Sequence, residues 1–429
     1  MIFRYCILWF VVSIVPVSAK PLVTSSEETV ARICLAREET PVRIVEACDL
    51  ALGEAGLTAS QRVKLMVARG DGLTWQDHFD EAAESYRAAS DLDPRSVDAW
   101  NGLGWALWEA EGHVEAFEAF TMSLEVDVSV QGLAGQAGAG RRSGTIENGQ
   151  ARDMLRAALS IDPDYIWAVR EIAWSHLEDQ DYDAAVTEFE AALIIDDGNI
   201  NARYGLGRAK MALGENETAL EIFNGVLDDA PGDFLTEVYR INALRNLDRN
   251  AQALREADRL IKDYPDRASG YIERAFALMA LERRSDAIET YQKAEQVLGP
   301  NNAVLYWYAD ALTIDGRFED AMEIIDRGLT LDGADYSDHL MKSYIALEME
   351  DYLLARTAAE ASLATGVEDA WAHYYVAITM IHTGETTEGL DRFDRAIALG
   401  LPDHRVGAFA RELISAGKYV EAAQLRLKY

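Results

Sequence analysis

Small and apolar side chains return along this chain at a fixed interval. A rung stands at Ala82, Ala116, Ala151, Ala185, Ala219, Ala253, Ala287, Ala321 and Ala355, continued by Gly389 and Ala422, and eight of the ten intervals are 34 residues. Four positions after the rungs come Tyr86, Phe120, Leu155, Phe189, Phe223, Tyr291, Ile325 and Phe393; seven positions after come mostly small residues such as Ala89, Ala158, Ala192 and Ala396. Offsets of four and seven share one helix face, so the rung helix buries that face. Twelve positions before the rungs stand Gly70, Gly104, Ala139, Ala173, Gly207, Ala275 and Ala309, which predicts a preceding helix with a small residue where two backbones approach. The second helix is expected to stop at Pro94, Pro163, Pro231, Pro265, Gly299 or Gly333, residues that cannot continue a helix or that readily end one. Gly112, Gly214, Gly316, Gly384 and Gly417 mark the turn inside each pair.

Helix, turn, helix and stop, repeated every 34 residues, describe an array in which each unit buries its apolar face only against its neighbours. The repeats resemble those of tetratricopeptide-repeat proteins of the exported bacterial type. In the best unit Trp100, Leu103, Gly104, Leu107, Ala116 and Phe120 match the family pattern of Trp, Leu, Gly, an apolar residue, Ala and Phe. The resemblance implies an all-α, right-handed superhelical solenoid of stacked antiparallel helix hairpins. It covers residues 63–429, about ten repeats and a short C-terminal hairpin. The repeat of Ala253 departs most, with Glu237, Arg240 and Ile241 in its first helix and Ala257 where an aromatic is usual; a bend or local softening there is one reading and an ordinary repeat the other.

Residues 1–19 carry Arg4, an apolar run from Tyr5 to Val15 and the small-residue end Val17-Ser18-Ala19, the pattern of a secretory signal peptide. The alternative, an uncleaved anchor, is disfavoured because the run is shorter than the roughly 20 apolar residues a spanning helix needs. The mature protein is expected to begin near Lys20, to be periplasmic or secreted, and to keep no stable membrane anchor. Cleavage removes Cys6 and leaves Cys34 and Cys48, 14 residues apart, in a helical hairpin over 20–62 broken at Thr40-Pro41. An even pair in an exported chain suggests a disulfide, worth on the order of 3 kcal/mol for such a loop; two separate buried thiols are the alternative.

Charge narrows the partners. Forty basic against 73 acidic side chains give −33, which argues against nucleic acid and anionic membrane surfaces. Most of the carboxylates are expected to solvate outer faces, as at Glu81, Glu84, Glu188 and Glu190. The seven histidines are dispersed and show no metal-binding spacing, so neither metal nor cofactor is expected. Gly135, Gly138 and Gly140 imitate a phosphate loop only superficially, since no strand precedes them and no Lys-Ser/Thr pair follows. Asp332, Asp335 and Asp338 lack the glycine and distal glutamate of a calcium loop and read as solvated turn acids. No catalytic residue emerges, and an enzyme is not expected.

By the resemblance, a partner meets the concave surface lined by first helices at repeat positions two, five, nine and twelve. Carried over to this chain, the groove comprises Asn101, Trp105, Trp108, Trp167, Arg170, Trp174, Asn201, Tyr204, Arg208, Asn242, Arg245, Ile272, Phe276, Tyr306, Tyr344, Trp371 and Tyr374. The family's peptide-carboxylate clamp is absent, because Val67, Asp71, Asn101 and Trp105 occupy its positions. Arg170, Arg208 and Arg245 suggest an anion site for a peptide carboxylate or acidic segment; the competing reading pairs them internally with neighbours such as Glu171 and Glu237. The function implied is a non-enzymatic periplasmic scaffold for protein or peptide partners in envelope assembly or export. The alternative is a glycan or peptidoglycan fragment stacked on Trp105, Trp174 and Tyr204. At the C-terminus, Leu413, Ile414 and Leu425 are expected to leave either an apolar partner edge or a frayed helix.

Overall fold

Capping residues set where the first helices begin. The computed structural model describes residues 27–429; the expected leader at 1–19, with Cys6, lies outside them. Among the described residues there are 24 α-helices and no strand, and no helix is long and apolar enough to cross a membrane. Ser96, Ser129, Asn199, Asp233, Asn301 and Asp369 each accept a backbone N–H of the helix that follows. Thr58 and Gln61 form a full capping box, so the first helix of the array starts at Ala59. Asp335 and Asp338 do the same for a later one, and buried Asp338 also accepts from Asn302 at 2.9 Å; two of the three turn acids therefore cap a helix.

The chain divides into two units, each an all-α repeat solenoid, one reaching to Pro231 and the other running from Gly232 to Tyr429. The division falls directly before the atypical repeat of Ala253. The first unit opens with the hairpin α1 (Glu27–Ala36) and α2 (Pro41–Leu52). Five pairs follow: α3 (Ala59–Thr74) and α4 (Phe79–Leu92), α5 (Val97–Glu109) and α6 (His113–Val126), α7 (Val130–Arg142) and α8 (Asn148–Ile161), α9 (Ile166–Glu178) and α10 (Tyr182–Ile195), α11 (Ile200–Ala212) and α12 (Asn216–Asp229). The second unit holds six pairs: α13 (Phe234–Asn246) and α14 (Asn250–Asp263), α15 (Ala268–Ala280) and α16 (Arg284–Leu298), α17 (Asn302–Ile314) and α18 (Phe318–Gly328), α19 (Tyr336–Glu348) and α20 (Tyr352–Ala364), α21 (Ala370–Thr383) and α22 (Thr386–Ala398), α23 (His404–Ser415) and α24 (Tyr419–Lys428).

The turn inside a pair needs a left-handed residue. Gly214, Gly316, Gly384 and Gly417 supply it, and at the same register Asp77, Glu111, Gln180, Asp248, Glu282 and Glu350 adopt φ of 56 to 63°, a conformation that side chains other than glycine adopt at some cost. In the repeat of Ala116 the left-handed residue is thus Glu111 and not Gly112, whose φ is −81°. Helix α18 ends at Gly328, ahead of the expected stop at Gly333.

Packing rests on the aromatic four residues after the rung. Phe120 of α6 is fully buried and lies against two first helices: a methyl at Gly104 of α5 would stand 2.7 Å from its ring and one at Gly135 of α7 only 2.3 Å. Tyr86 sits likewise between Gly70 and Gly102, where added methyls would stand 2.6 and 2.3 Å away. Phe189 fills a notch at Gly205 and Phe223 one at Gly207. The glycines let the ring touch helix backbone, and Tyr86 and Phe120 each tie their own repeat to the next. Gly135, Gly138 and Gly140 belong to this packing and lie within α7.

At the amino end, Cys34 of α1 and Cys48 of α2 are bridged and buried, in a cluster with Ile44 and Leu65. At the carboxyl end, Leu413 and Leu425 are buried rather than left at an edge; Ile414 is exposed, together with Val420 and Leu427.

Glycine to alanine at an open helical site stabilises by about 0.5–1 kcal/mol. Gly225 of α12 has nothing within 4 Å of an added methyl, whereas at Gly205 of α11 that methyl would meet the Phe189 ring at 2.2 Å. Gly225→Ala is expected to raise the thermal unfolding midpoint and Gly205→Ala to lower it, by about 1–3 kcal/mol in stability; equal shifts of one sign would contradict this packing.

Candidate functional site

Within each unit consecutive first helices touch, from α3 through α11 and from α13 through α23, while consecutive second helices do not. First helices are therefore the more closely spaced, and their shared face is the inner side of each unit's curve. The sequence-derived groove residues all lie on first helices, and the structure separates them into buried and accessible sets.

In the first unit, Trp105 and Trp108 of α5 meet Trp167 of α9 at ring distances of 4.9 and 5.6 Å. They meet because the intervening α7 is nearly bare: a methyl at Gly138 would stand 2.5 Å from Trp167 and 3.2 Å from Trp108. Trp108 is buried by this contact, and Trp105 is held edge-on to Phe120 at 5.1 Å. Asn101 donates to the Ser129 hydroxyl at 3.3 Å. Farther along, buried Trp174 donates through Nε1 to Asn201 Oδ1 at 2.9 Å and packs 6.0 Å from Tyr204. The Arg208 guanidinium lies 5.2 Å from the Trp174 ring and 5.8 Å from that of Tyr204, within cation–π range.

The arginines do not form the exposed anion site expected of them. Arg170 is 2% exposed and belongs to the core of α9. Its neighbour Glu171 takes Arg141 of α7, which also reaches Glu178 at 2.5 Å. Arg245 belongs to the other unit and is neutralised by Glu273, which also accepts from Asn242, each at 3.1 Å. Burial raises the Glu273 carboxyl above its usual range, with Arg245 and Asn242 opposing. Glu237 approaches Arg259 at 3.9 Å. Tyr374 is also buried, so Trp108, Arg170, Trp174 and Tyr374 serve as packing where a ligand-facing role was expected. Their neighbours cover them because small residues let adjacent helices close in.

What stays accessible in the second unit is aromatic. Arg245 covers the Phe276 ring at 4.6 Å, Trp307 joins Phe276 at 4.8 Å and Tyr306 at 4.9 Å, and Tyr344 stacks with Tyr375 at 6.3 Å. Trp371 follows, 6.1 Å from Tyr375, with Arg405 over its ring at 4.6 Å. Trp307, Tyr375 and Asp310 are inner-face residues that the sequence reading passes over. Asp310 had a signal: it stands eleven residues before its rung, the register position of Trp105, Trp174, Arg208, Asn242, Phe276 and Tyr344.

Two family models described as Tetratricopeptide repeat match residues 68–125, 176–239 and 272–336, and one described as Bacterial transcriptional activator domain matches residues 233–300. The curated DnaJ homolog subfamily C member 7 homolog of Dictyostelium discoideum is 23% identical over 226 residues, 48% of this chain and 42% of that protein. The match therefore spans less than half of the relative's length. Among solved structures, the yeast Tom70 is similar with a TM-score of 0.53 at 12% identity, over 94% of this chain and 97% of that one. A tetratricopeptide repeat protein of Parabacteroides merdae gives 0.46 at 19% identity, over 59% of this chain and 98% of that one.

Glu109, at the carboxyl end of α5, is raised to about 7 by burial, with the Asp77 charge adding to the shift. Between its ordinary value of 4.5 and about 7, the folded protein keeps a proton that the unfolded chain has released. Its contribution to stability is then full below the unfolded value and is lost as pH rises through the folded one. Glu109→Gln is expected to melt above wild type near pH 8 and together with it near pH 4; parallel melting curves at both would contradict the assignment.

Proposed function

The chain is a tetratricopeptide-repeat protein, and from that premise we propose that it is a non-enzymatic scaffold that binds protein or peptide partners on the inner face of its first helices. The observation that carries the reading is the run of accessible aromatics on that face, Phe276, Tyr306, Trp307, Tyr344 and Trp371, each on a first helix of one unit. Large rings with few rotatable bonds and polar tips suit protein contacts. Glycan recognition is the lesser reading, since it asks for open ring faces: Trp174 is buried, and Trp105 is packed among Trp108, Phe120 and Trp167.

We further propose export to the periplasm or beyond, with a role in envelope assembly or secretion. The leader-like residues 1–19 and the Cys34–Cys48 bridge support it, because such bridges persist in oxidising compartments. Thiol labelling of the protein as it leaves the cell compartment is expected to modify neither cysteine before reduction and both after it. Labelling without reductant, or recovery from the cytosol alone, would contradict export.

A photo-crosslinking residue placed at inner positions Tyr204 or Tyr344 is expected to give discrete partner adducts in cells, and one at exposed outer positions Glu190 or Glu323 none. Adducts from the outer positions only would overturn the inner-face reading. Adducts that shift to saccharide on digestion would favour the glycan reading.

A further inference from the structure

The inner face of the second unit already shows what it does with cations. At one end a guanidinium, Arg245, lies over Phe276 at 4.6 Å; at the other, Arg405 lies over Trp371 at the same distance. Between them stand Tyr306 of α17 and Tyr344 of α19, with Asp310 one helical turn after Tyr306. The eleven-before-rung register places Asp310 on the inner face between Phe276 of the preceding repeat and Tyr344 of the following one. Asp310 is half-buried, and among the described residues no donor or cation reaches its carboxylate. Of the other acids near the aromatic run, Glu273 holds Arg245 and Asp338 accepts from Asn302, while Glu348, whose charge also reaches Tyr344, is exposed at the end of α19.

Resting on the inner face as the partner-binding surface, we propose that this stretch receives a lysine or arginine side chain of a basic partner segment, its charged head on Asp310 and its stem between Tyr306 and Tyr344. A carboxylate near aromatic rings attracts a partly desolvated cation through a charge-assisted hydrogen bond, to which the ring quadrupoles add. Burial alone raises the Asp310 carboxyl above its usual range, as fits a group with no counter-charge. Its field reaches its neighbours: burial pushes the Tyr306 phenol up to about 12, with Asp310 the next cause, and burial also raises the Tyr344 phenol, with Glu348 and then Asp310 adding to it. The net charge of −33 favours the approach of a basic segment. The site is thus opposite in sign to the arginine-based anion site that the sequence suggested.

The full chain would be titrated with acetylated decalysine amide at about 150 mM salt, where long-range attraction to the acidic surface is screened. Asp310→Asn, which keeps the side-chain shape, is expected to weaken binding about tenfold. Glu323→Gln, an exposed outer-face control in the same unit, should stay within about twofold of wild type. Equal affinity for wild type and Asp310→Asn, equal loss in both variants, or no binding by wild type would each overturn the proposal. The Tyr344 crosslinks to the cellular partner separate this from the wider reading. If they persist in Asp310→Asn and decalysine binding is unaffected, the inner face still binds but the cation site is wrong; if wild type gives no inner-face crosslinks, the scaffold reading itself fails.

Discussion

A single contact recurs through the first unit and organises its repeats: a ring from the second helix of a repeat pressed onto the bare backbone of first helices. Phe120 against Gly104 and Gly135 shows it most fully, with Tyr86 against Gly70 and Gly102 beside it. One ring touches its own repeat and the next, so the same side chain closes a hairpin and stacks it. Helix interiors disfavour glycine by about 1 kcal/mol relative to alanine. Removing a buried ring costs roughly 3–5 kcal/mol, so close ring contact outweighs the lost propensity. In both units first helices touch one another while second helices stay apart, and that difference in spacing gives each unit an inner face.

The inner face inherits its chemistry from the same packing. Over glycine-rich α7 neighbouring helices come so close that Trp108 is covered, and Trp105 and Trp167 contact each other. In the second unit the first helices carry fewer notches, and Phe276, Tyr306 and Tyr344 remain accessible with Asp310 among them. Internal arginines fill both ends of that row by pairing or stacking, and the half-buried Asp310 carboxylate between them has no partner among the described residues.

The period, the hairpins and most helix ends are legible in the sequence, because a face repeated at offsets of four and seven has few other readings. Left-handed turns at Asp77, Glu111, Gln180 and Asp248 are not, since those residues carry no conformational signature of their own. Nor is the burial of Arg170 or Trp174: register names the face a side chain is on, whereas its exposure depends on how near the next helix comes. Partners thirty residues apart, such as Arg141 and Glu171, are set by stacking alone. Asp310 is half legible: its inner-face position is written in the register, and its isolation appears only once its neighbours are seen to be engaged elsewhere.

Hydrogen exchange on a Phe120→Ala variant, resolved by peptide, tests the central claim most directly. If the ring ties only its own repeat to the next, amide protection should fall in α5, α6 and α7 while α11, α12 and residues 232–429 exchange as in wild type. Loss of protection spread evenly along the whole chain, or none within α5 to α7, would contradict it.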